Sequence, residues 1–486
     1  MKSCLYPAVL LALLVLWPLS PAIAANLEGE PYIHDPSTVI QCDGKYYTFG
    51  TGSGGLISDD GWTWHIGAVR TGGGVAPDII HIGDRYYVTY ATGGGGLGGG
   101  HASLVHTMWT KTLDPKSPDF GYREESVVAS SNGIEDCDAI DPSFCLGHDG
   151  KLWLTYGTYF GFIRIVELDP KTGKRVAGNQ PVNIAIDCEA TDMIFRNSWY
   201  YLLGTHGTCC SGSASTYNIR VGRSKSPTGP FVDNMNIDML KGGGKLVIAA
   251  NNRLIGPGHF GLIDLGDDVQ KFSCHYEADL DRSGRSVLDI RTLLWKEGWP
   301  VAGDAFIGGT FEIESERSGY ALELAVDAVP IGRGGARGGF GRGGAGPVSP
   351  VSLPDPAEVA RSWPAGNIDL RIGDYMLGAH QRWTITPVAN VGGCLGSPYF
   401  KITVAGTDRA LAATADAEVV TVPTFSGKSE ELWRIDQLID GTYRIMPKEI
   451  PNLKDPLALT AVGNSTPSLA KFDPKSPKAR WNFKSH

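Results

Sequence analysis

Four short stretches of the chain carry an acidic residue where an apolar run begins: His34-Asp35-Pro36-Ser37, Ala76-Pro77-Asp78, Ala139-Ile140-Asp141-Pro142-Ser143 and Asp187-Cys188-Glu189-Ala190. An isolated Asp before Pro is commonly a turn residue that hydrogen-bonds its own backbone. Recurrence at equivalent places points instead to a shared pocket. Carboxyl groups gathered in one pocket cannot all ionise independently, so their pKa values separate. One bare carboxylate beside one carboxylic acid is the pair that glycosidic-bond hydrolysis requires.

These acids are far apart in sequence, so the elements carrying them must converge. From about residue 30 to 300 a turn of Gly, Asp or Asn repeatedly precedes an aromatic and β-branched run. Examples are Asp43–Phe49, Gly83–Tyr90, Asp149–Tyr156 and Arg196–Leu203. Each reads as a hairpin turn feeding a half-buried strand, and each follows a shorter apolar run. A spacing of about 40 to 60 residues is that of four-stranded propeller blades. A fifth copy, Gly258–Leu265, Gln270–Glu277 and Ser286–Trp295, reads as degenerate. The expected fold is all-β: a five-bladed β-propeller over residues 26–300, then a smaller β-domain over 301–486. In a propeller the innermost strands surround the axis, so Asp35, Asp141 and Glu189 would meet in one funnel.

The second region holds three weak copies of a strand, an aliphatic pair and a closing Trp. They end at Gln381-Arg382-Trp383, Glu431-Leu432-Trp433 and Ala479-Arg480-Trp481. This three-fold pattern resembles the ricin-type β-trefoil, with a two-sheet sandwich as the rival; the resemblance implies that each Trp is mostly core. A second carbohydrate ligand in this domain is a weaker expectation. Residues 331–350 form an Arg-Gly tract of low complexity that cannot bury a core and reads as a loop.

The first 25 residues read as a cleaved export signal. Lys2 precedes the apolar run Ala8–Leu16, and Ala22-Ile23-Ala24 supplies an A-x-A site near Ala24 or Ala25. The expected location is therefore secreted or periplasmic, where disulfides are permitted. Eight cysteines remain, and their pairing is open. Adjacent Cys209 and Cys210 could bond to each other, pair elsewhere or stay reduced. Lys and Arg number 43 against 52 Asp and Glu, a net charge of −9. That balance disfavours nucleic acid or an anionic membrane as partner.

The acidic motifs resemble those of glycoside hydrolase family 43. Cys209-Cys210-Ser211-Gly212, Ser215-Thr216-Tyr217, Val221-Gly222-Arg223-Ser224, Gly256-Pro257-Gly258-His259 and His275-Tyr276-Glu277-Ala278 resemble its endo-1,5-α-L-arabinanase branch. The resemblance implies an inverting mechanism on arabinan, with Asp35 as general base, Glu189 as general acid and Asp141 keeping Glu189 protonated. Asp78, His34 and Tyr217 are the candidate substrate contacts. His259, by the same resemblance, would bind a calcium ion at the propeller axis, largely through water; read alone it is as easily a satisfied structural histidine. Where that branch commonly has Trp before Ala-Pro-Asp and Arg after the double Cys, this chain has Val75 and Ser211. Alternatives are an exo-acting α-L-arabinofuranosidase or β-xylosidase, and a carbohydrate-binding protein without catalysis.

Overall fold

The computed structural model describes residues 27–94, 101–132, 138–326, 355–463 and 465–485. The export signal, Cys137, the glycine-rich residues 95–100 and the Arg-Gly tract lie outside the described residues. No helix among the described residues is long and apolar enough to cross a membrane.

Residues 27–302 form five antiparallel sheets, each built from consecutive residues, in a five-bladed propeller. Blade I contains Ile40–Cys42, Lys45–Phe49, Gly54–Ser58 and Thr63–Val69, with Glu28–Gly29 added parallel on its outer edge. Blade II runs from Val75–Ile82 to Arg123–Asn132, blade III from Ser143–Leu146 to Val182–Ile186, and blade IV from Glu189–Arg196 to Lys245–Ala249. Blade V comprises Leu254–Asp264, Gln270–Asp279, Arg285–Lys296 and Trp299–Ala302. The expectation of a degenerate fifth copy is corrected here: its first three strands have 11, 10 and 12 residues, matching or exceeding any other blade's. It lacks only the acidic entry motif by which the repeat was followed, and enters instead with Gly256-Pro257-Gly258-His259.

Five apolar clusters, each shared by two neighbouring blades, hold the ring together. Middle strands are therefore covered on both faces, and in Leu152–Tyr156 every residue is buried. The seam between blades I and V joins the two ends of the ring. There Trp62, Trp64 and Leu56 meet Ile263, Leu288 and Ile290, and Leu288 N donates to Pro31 O at 2.7 Å.

The C-terminal region closes a barrel from Gly309–Glu314, Arg382–Pro387, Phe400–Val404, Trp433–Gln437, Tyr443–Pro447 and Asn482–Lys484. Three hairpins cap it, one between each successive pair of barrel strands. The three Trp residues singled out in the sequence are buried, and their indoles make the same bond in each copy. Trp383, Trp433 and Trp481 Nε1 donate to Leu322, Leu411 and Leu459 O at 2.8, 3.0 and 2.9 Å.

A loop of this barrel reaches the seam of the propeller. Leu395 is fully buried within the blade I–blade V cluster. Its N–H donates to Asp60 O at 2.8 Å, Gly396 N donates to Gly61 O at 2.9 Å, and Lys271 of blade V donates to Leu395 O at 2.5 Å. One aliphatic side chain thus fills a gap bounded by three parts of the chain. Leu395→Ala leaves the backbone bonds and removes only that filling, so it should cost about 2–5 kcal/mol. Thermal unfolding checks this; a transition temperature unchanged within a degree would show that the seam does not depend on the loop.

Candidate active site

Each innermost strand has a residue in the left-handed region, ahead of the strand in blades I and III, second in it in blades II and IV, and midway along it in blade V. Asp35, Ala76, Asp141, Ala190 and His259 have φ of 51, 46, 50, 46 and 56°. In three blades the ladder slips there: between Val75 and Asp78, Glu189 and Asp192, and Gly258 and Gly261. A bulge bends the strand and re-aims its side chains. Left-handed conformation at a residue bearing a Cβ costs on the order of 1 kcal/mol and persists only where surroundings enforce it. Here packing about the axis enforces it five times. A small axial cavity is lined by Pro36, Asp78, Asp141, Ala190 and His259, one from each blade.

Two buried acids tie the blades beneath the funnel. Asp78 Oδ1 accepts from Thr38 N at 3.1 Å, and its Oδ2 accepts from Ser143 Oγ at 3.0 Å and Phe144 N at 2.9 Å. Asp78 was expected to contact substrate. The structure corrects this, because both oxygens are spent holding blades I, II and III together. Ser143 Oγ also lies 3.2 Å from Asp192 Oδ1. Burial and the neighbouring Asp78 charge push Asp192 up to about 8. The folded protein therefore retains a proton between about pH 4 and 8 that the unfolded chain releases. Binding more protons when folded means that stability declines as pH rises through that window. Asp192→Asn removes this contribution, so its melting temperature should fall less than the parent's between pH 6 and 9. Parallel melting curves against pH would contradict the assignment.

Above this girdle, Asp35 and Glu189 occupy opposed electrostatic settings. Burial alone would raise Asp35, but His259, His34 and His275 outweigh it and hold the carboxyl well below the usual range. Its Oδ2 accepts from Thr51 Oγ1 at 2.5 Å, and its Oδ1 lies 2.9 Å from His34 Nδ1 and 3.3 Å from His259 Nδ1. Glu189 is 7% exposed. Burial raises it, and the charges of Asp35 and Glu277 add to that against the donors Tyr217 and Thr158, leaving it at about 7. Thr158 Oγ1 donates to Glu189 Oε2 at 3.0 Å, and Tyr217 OH donates to Oε1. Asp141 is raised well above its ordinary value by burial and by the charges of Glu189 and Asp35. The three acids thus share one electrostatic environment at the blade entries, although the first and last are 154 positions apart in the chain.

His34 bridges two carboxylates. Its Nε2 is 3.1 Å from Glu277 Oε1, and its ring stacks on His275 at 4.6 Å. Burial opposes its charge, but the bonds to Asp35 and Glu277 prevail and push it up to about 10. Its side chain is about one-third exposed, so it lies in the funnel as a charged donor. Tyr217, the other expected substrate contact, is 1% exposed. It is corrected to a buried residue whose hydroxyl is directed at Glu189.

Several site residues were not assigned from sequence. Glu277 anchors His34 and accepts from Cys210 N at 3.1 Å. Asp35 N donates to His275 Nδ1 at 2.9 Å, so the His275 proton sits on Nε2. His275 and Glu277 lie two apart on one strand and so share a face. That alternation was the available signal, within a motif quoted only for its resemblance. Cys209 and Cys210 are bonded to each other. Cys42, Cys145, Cys188, Cys274 and Cys394 are unpaired among the described residues.

His259 is buried, and burial pushes it down to about 4 despite the Asp35 charge. Neither ring nitrogen has a hydrogen-bond partner among the described residues. Its Nδ1 lies 3.3 Å from Asp35 Oδ1 without hydrogen-bond geometry, which leaves a ring nitrogen on the axis with a lone pair to offer an ion.

The model of glycosyl hydrolases family 43 matches residues 56–300. An extracellular endo-α-(1→5)-L-arabinanase of Bacillus subtilis (strain 168) is 29% identical over 321 residues, covering 60% of this chain and 95% of its own. The crystal structure of an exo-1,5-α-L-arabinanase from a bovine ruminal metagenomic library is 31% identical, with a TM-score of 0.52, covering 56% of this chain and 97% of that one. A family 43 endo-arabinanase from Bacillus licheniformis is 29% identical, with a TM-score of 0.51, covering 57% and 99%.

Proposed function

The chain belongs to glycosyl hydrolases family 43, and from that premise we propose that it hydrolyses α-1,5-L-arabinofuranosidic bonds in arabinan with inversion at the anomeric carbon. The observation that carries this reading is the split between Asp35, ionised among histidines, and Glu189, poised near neutrality by burial. Asp35 takes the proton of a water held over the funnel. Thr51 and His34 orient its carboxylate. Glu189 gives its proton to the departing glycosidic oxygen. Asp141, itself raised well above its ordinary value by burial and by the Glu189 charge, titrates together with Glu189, so the pair retains a proton for the acid step. His34 keeps both ring N–H groups on Asp35 and Glu277, and its exposed ring edge lines the funnel beside the sugar. His259 would hold one calcium ion, with water completing the oxygen-rich shell that Ca²⁺ prefers; when bound, the ion would supply positive charge near the ionised Asp35.

The related proteins carry both endo- and exo-acting names, which keeps exo action as the second reading. Incubation with linear arabinan separates them: oligosaccharides of mixed length support endo action, and a single short product supports exo action. Proton NMR of the first product tests inversion, which requires the β-anomer to appear before mutarotation. Absence of any product from arabinan would refute the substrate assignment. We read the C-terminal barrel as a β-trefoil-like module able to take a second carbohydrate, and the enzyme as secreted after cleavage near Ala24 or Ala25. The extracellular relative supports that location.

A further inference from the structure

The rim of the funnel contains a group that the mechanism does not use. Trp199–His206 ends beside Glu189, since Thr205 pairs with it across the ladder. The loop that follows therefore projects from the same end of the propeller as the acid. It carries the Cys209–Cys210 disulfide, with Cys210 exposed and Cys209 half-buried. Both sulfurs lie within 4.8 Å of a His34 ring nitrogen and a Glu277 carboxylate oxygen.

Three features make this more than a loop staple. The pair is anchored to the site, because Cys210 N donates to Glu277, which also holds His34. Cys210 sits at φ 60°, a conformation that the bond and this anchor maintain together. The sulfurs supply a polarisable, weakly hydrated surface beside groups that are otherwise charged. A furanose ring has polar edges and faces made largely of C–H. It needs a patch of that kind, fixed before binding so that little ordering accompanies contact.

We propose that the Cys209–Cys210 disulfide is a specificity-determining wall of the substrate groove that packs against the face of a pentofuranose ring. This rests on the pentosan-hydrolase reading above. The ligand class is an uncharged furanose within a chain, with the sulfurs covering its C–H face beside the His34 ring.

The test uses the full chain and linear α-1,5-arabinohexaose. Wild-type turnover is measured first; its absence would overturn the substrate reading itself. Given turnover, the C209A/C210A and C209S/C210S variants should raise KM by about tenfold, the scale for losing one small apolar contact, with the loss confined to KM. Reduction of folded wild-type enzyme by a water-soluble phosphine should give the same rise. The phosphine takes oxygen from one water and leaves two thiols, so this arm does not depend on the variants folding. Binding of arabinohexaose to Glu189→Gln enzyme, with and without reduction, should weaken by the same factor. Unchanged KM and affinity in the reduced enzyme would overturn the proposal. So would a fall in kcat at constant KM, which would assign the disulfide to positioning Glu277 alone.

Discussion

Glu189→Gln lowers kcat on linear arabinan by about 10²- to 10⁴-fold, the range of a positioned general acid. The substitution keeps shape and volume, and its amide oxygen can still accept from Tyr217, so the fold and the melting temperature should hold. The loss should shrink on an aryl arabinofuranoside whose leaving group departs without protonation. It should also change the pH profile. Glu189 acts as an acid only while protonated, so activity of the parent declines as pH rises through its value of about 7. Because Asp141 lies in the same field, the alkaline limb reports the pair rather than either group alone. The Gln variant should lack that limb. Near-parental turnover on arabinan would remove Glu189 from the acid role.

Asp35→Asn abolishes turnover on every substrate, by about 10⁴-fold or more on aryl arabinofuranosides as well as arabinan. A better leaving group cannot compensate, because the attacking water still needs a proton acceptor and an amide is not one. The change has a second consequence. His34 loses one of its two carboxylate partners, so its raised pKa falls towards its ordinary value. The variant should therefore bind arabino-oligosaccharides with a stronger pH dependence near neutrality than the Glu189→Gln enzyme. Hydrolysis within tenfold of the parent on either substrate would show that another group activates the water. The two variants together separate the roles: only loss at Glu189 is relieved by an activated leaving group.

Much of the architecture was legible from local signals. A turn rich in Gly, Asp or Asn followed by alternating aromatic and β-branched residues makes a hairpin largely by itself, and the period of these hairpins identifies the blades. The Asp-Pro entries were visible for the same reason, as was the burial of Trp383, Trp433 and Trp481. Blade V was underrated because its entry carries His259 in place of an acid, although its strands are as regular as any.

What the sequence determined, then, was the inventory: propeller strands, four acidic stretches at strand starts, and a histidine after Gly256-Pro257-Gly258. Tertiary structure decided how those groups divide the work. Asp78 and Glu189 look alike as acids near strand starts. Asp78 accepts from donors of the two blades that flank its own and serves as a tie, while Glu189 is buried near the Asp35 charge and keeps a proton. Tyr217 faces Glu189 rather than the open groove, Cys209 bonds to Cys210, and Leu395 of the C-terminal barrel fills the seam of the ring. Each outcome depends on which distant groups desolvate or pair with a side chain. Coulomb and burial energies act through space, whereas local sequence pattern encodes only which way a residue points along its own strand.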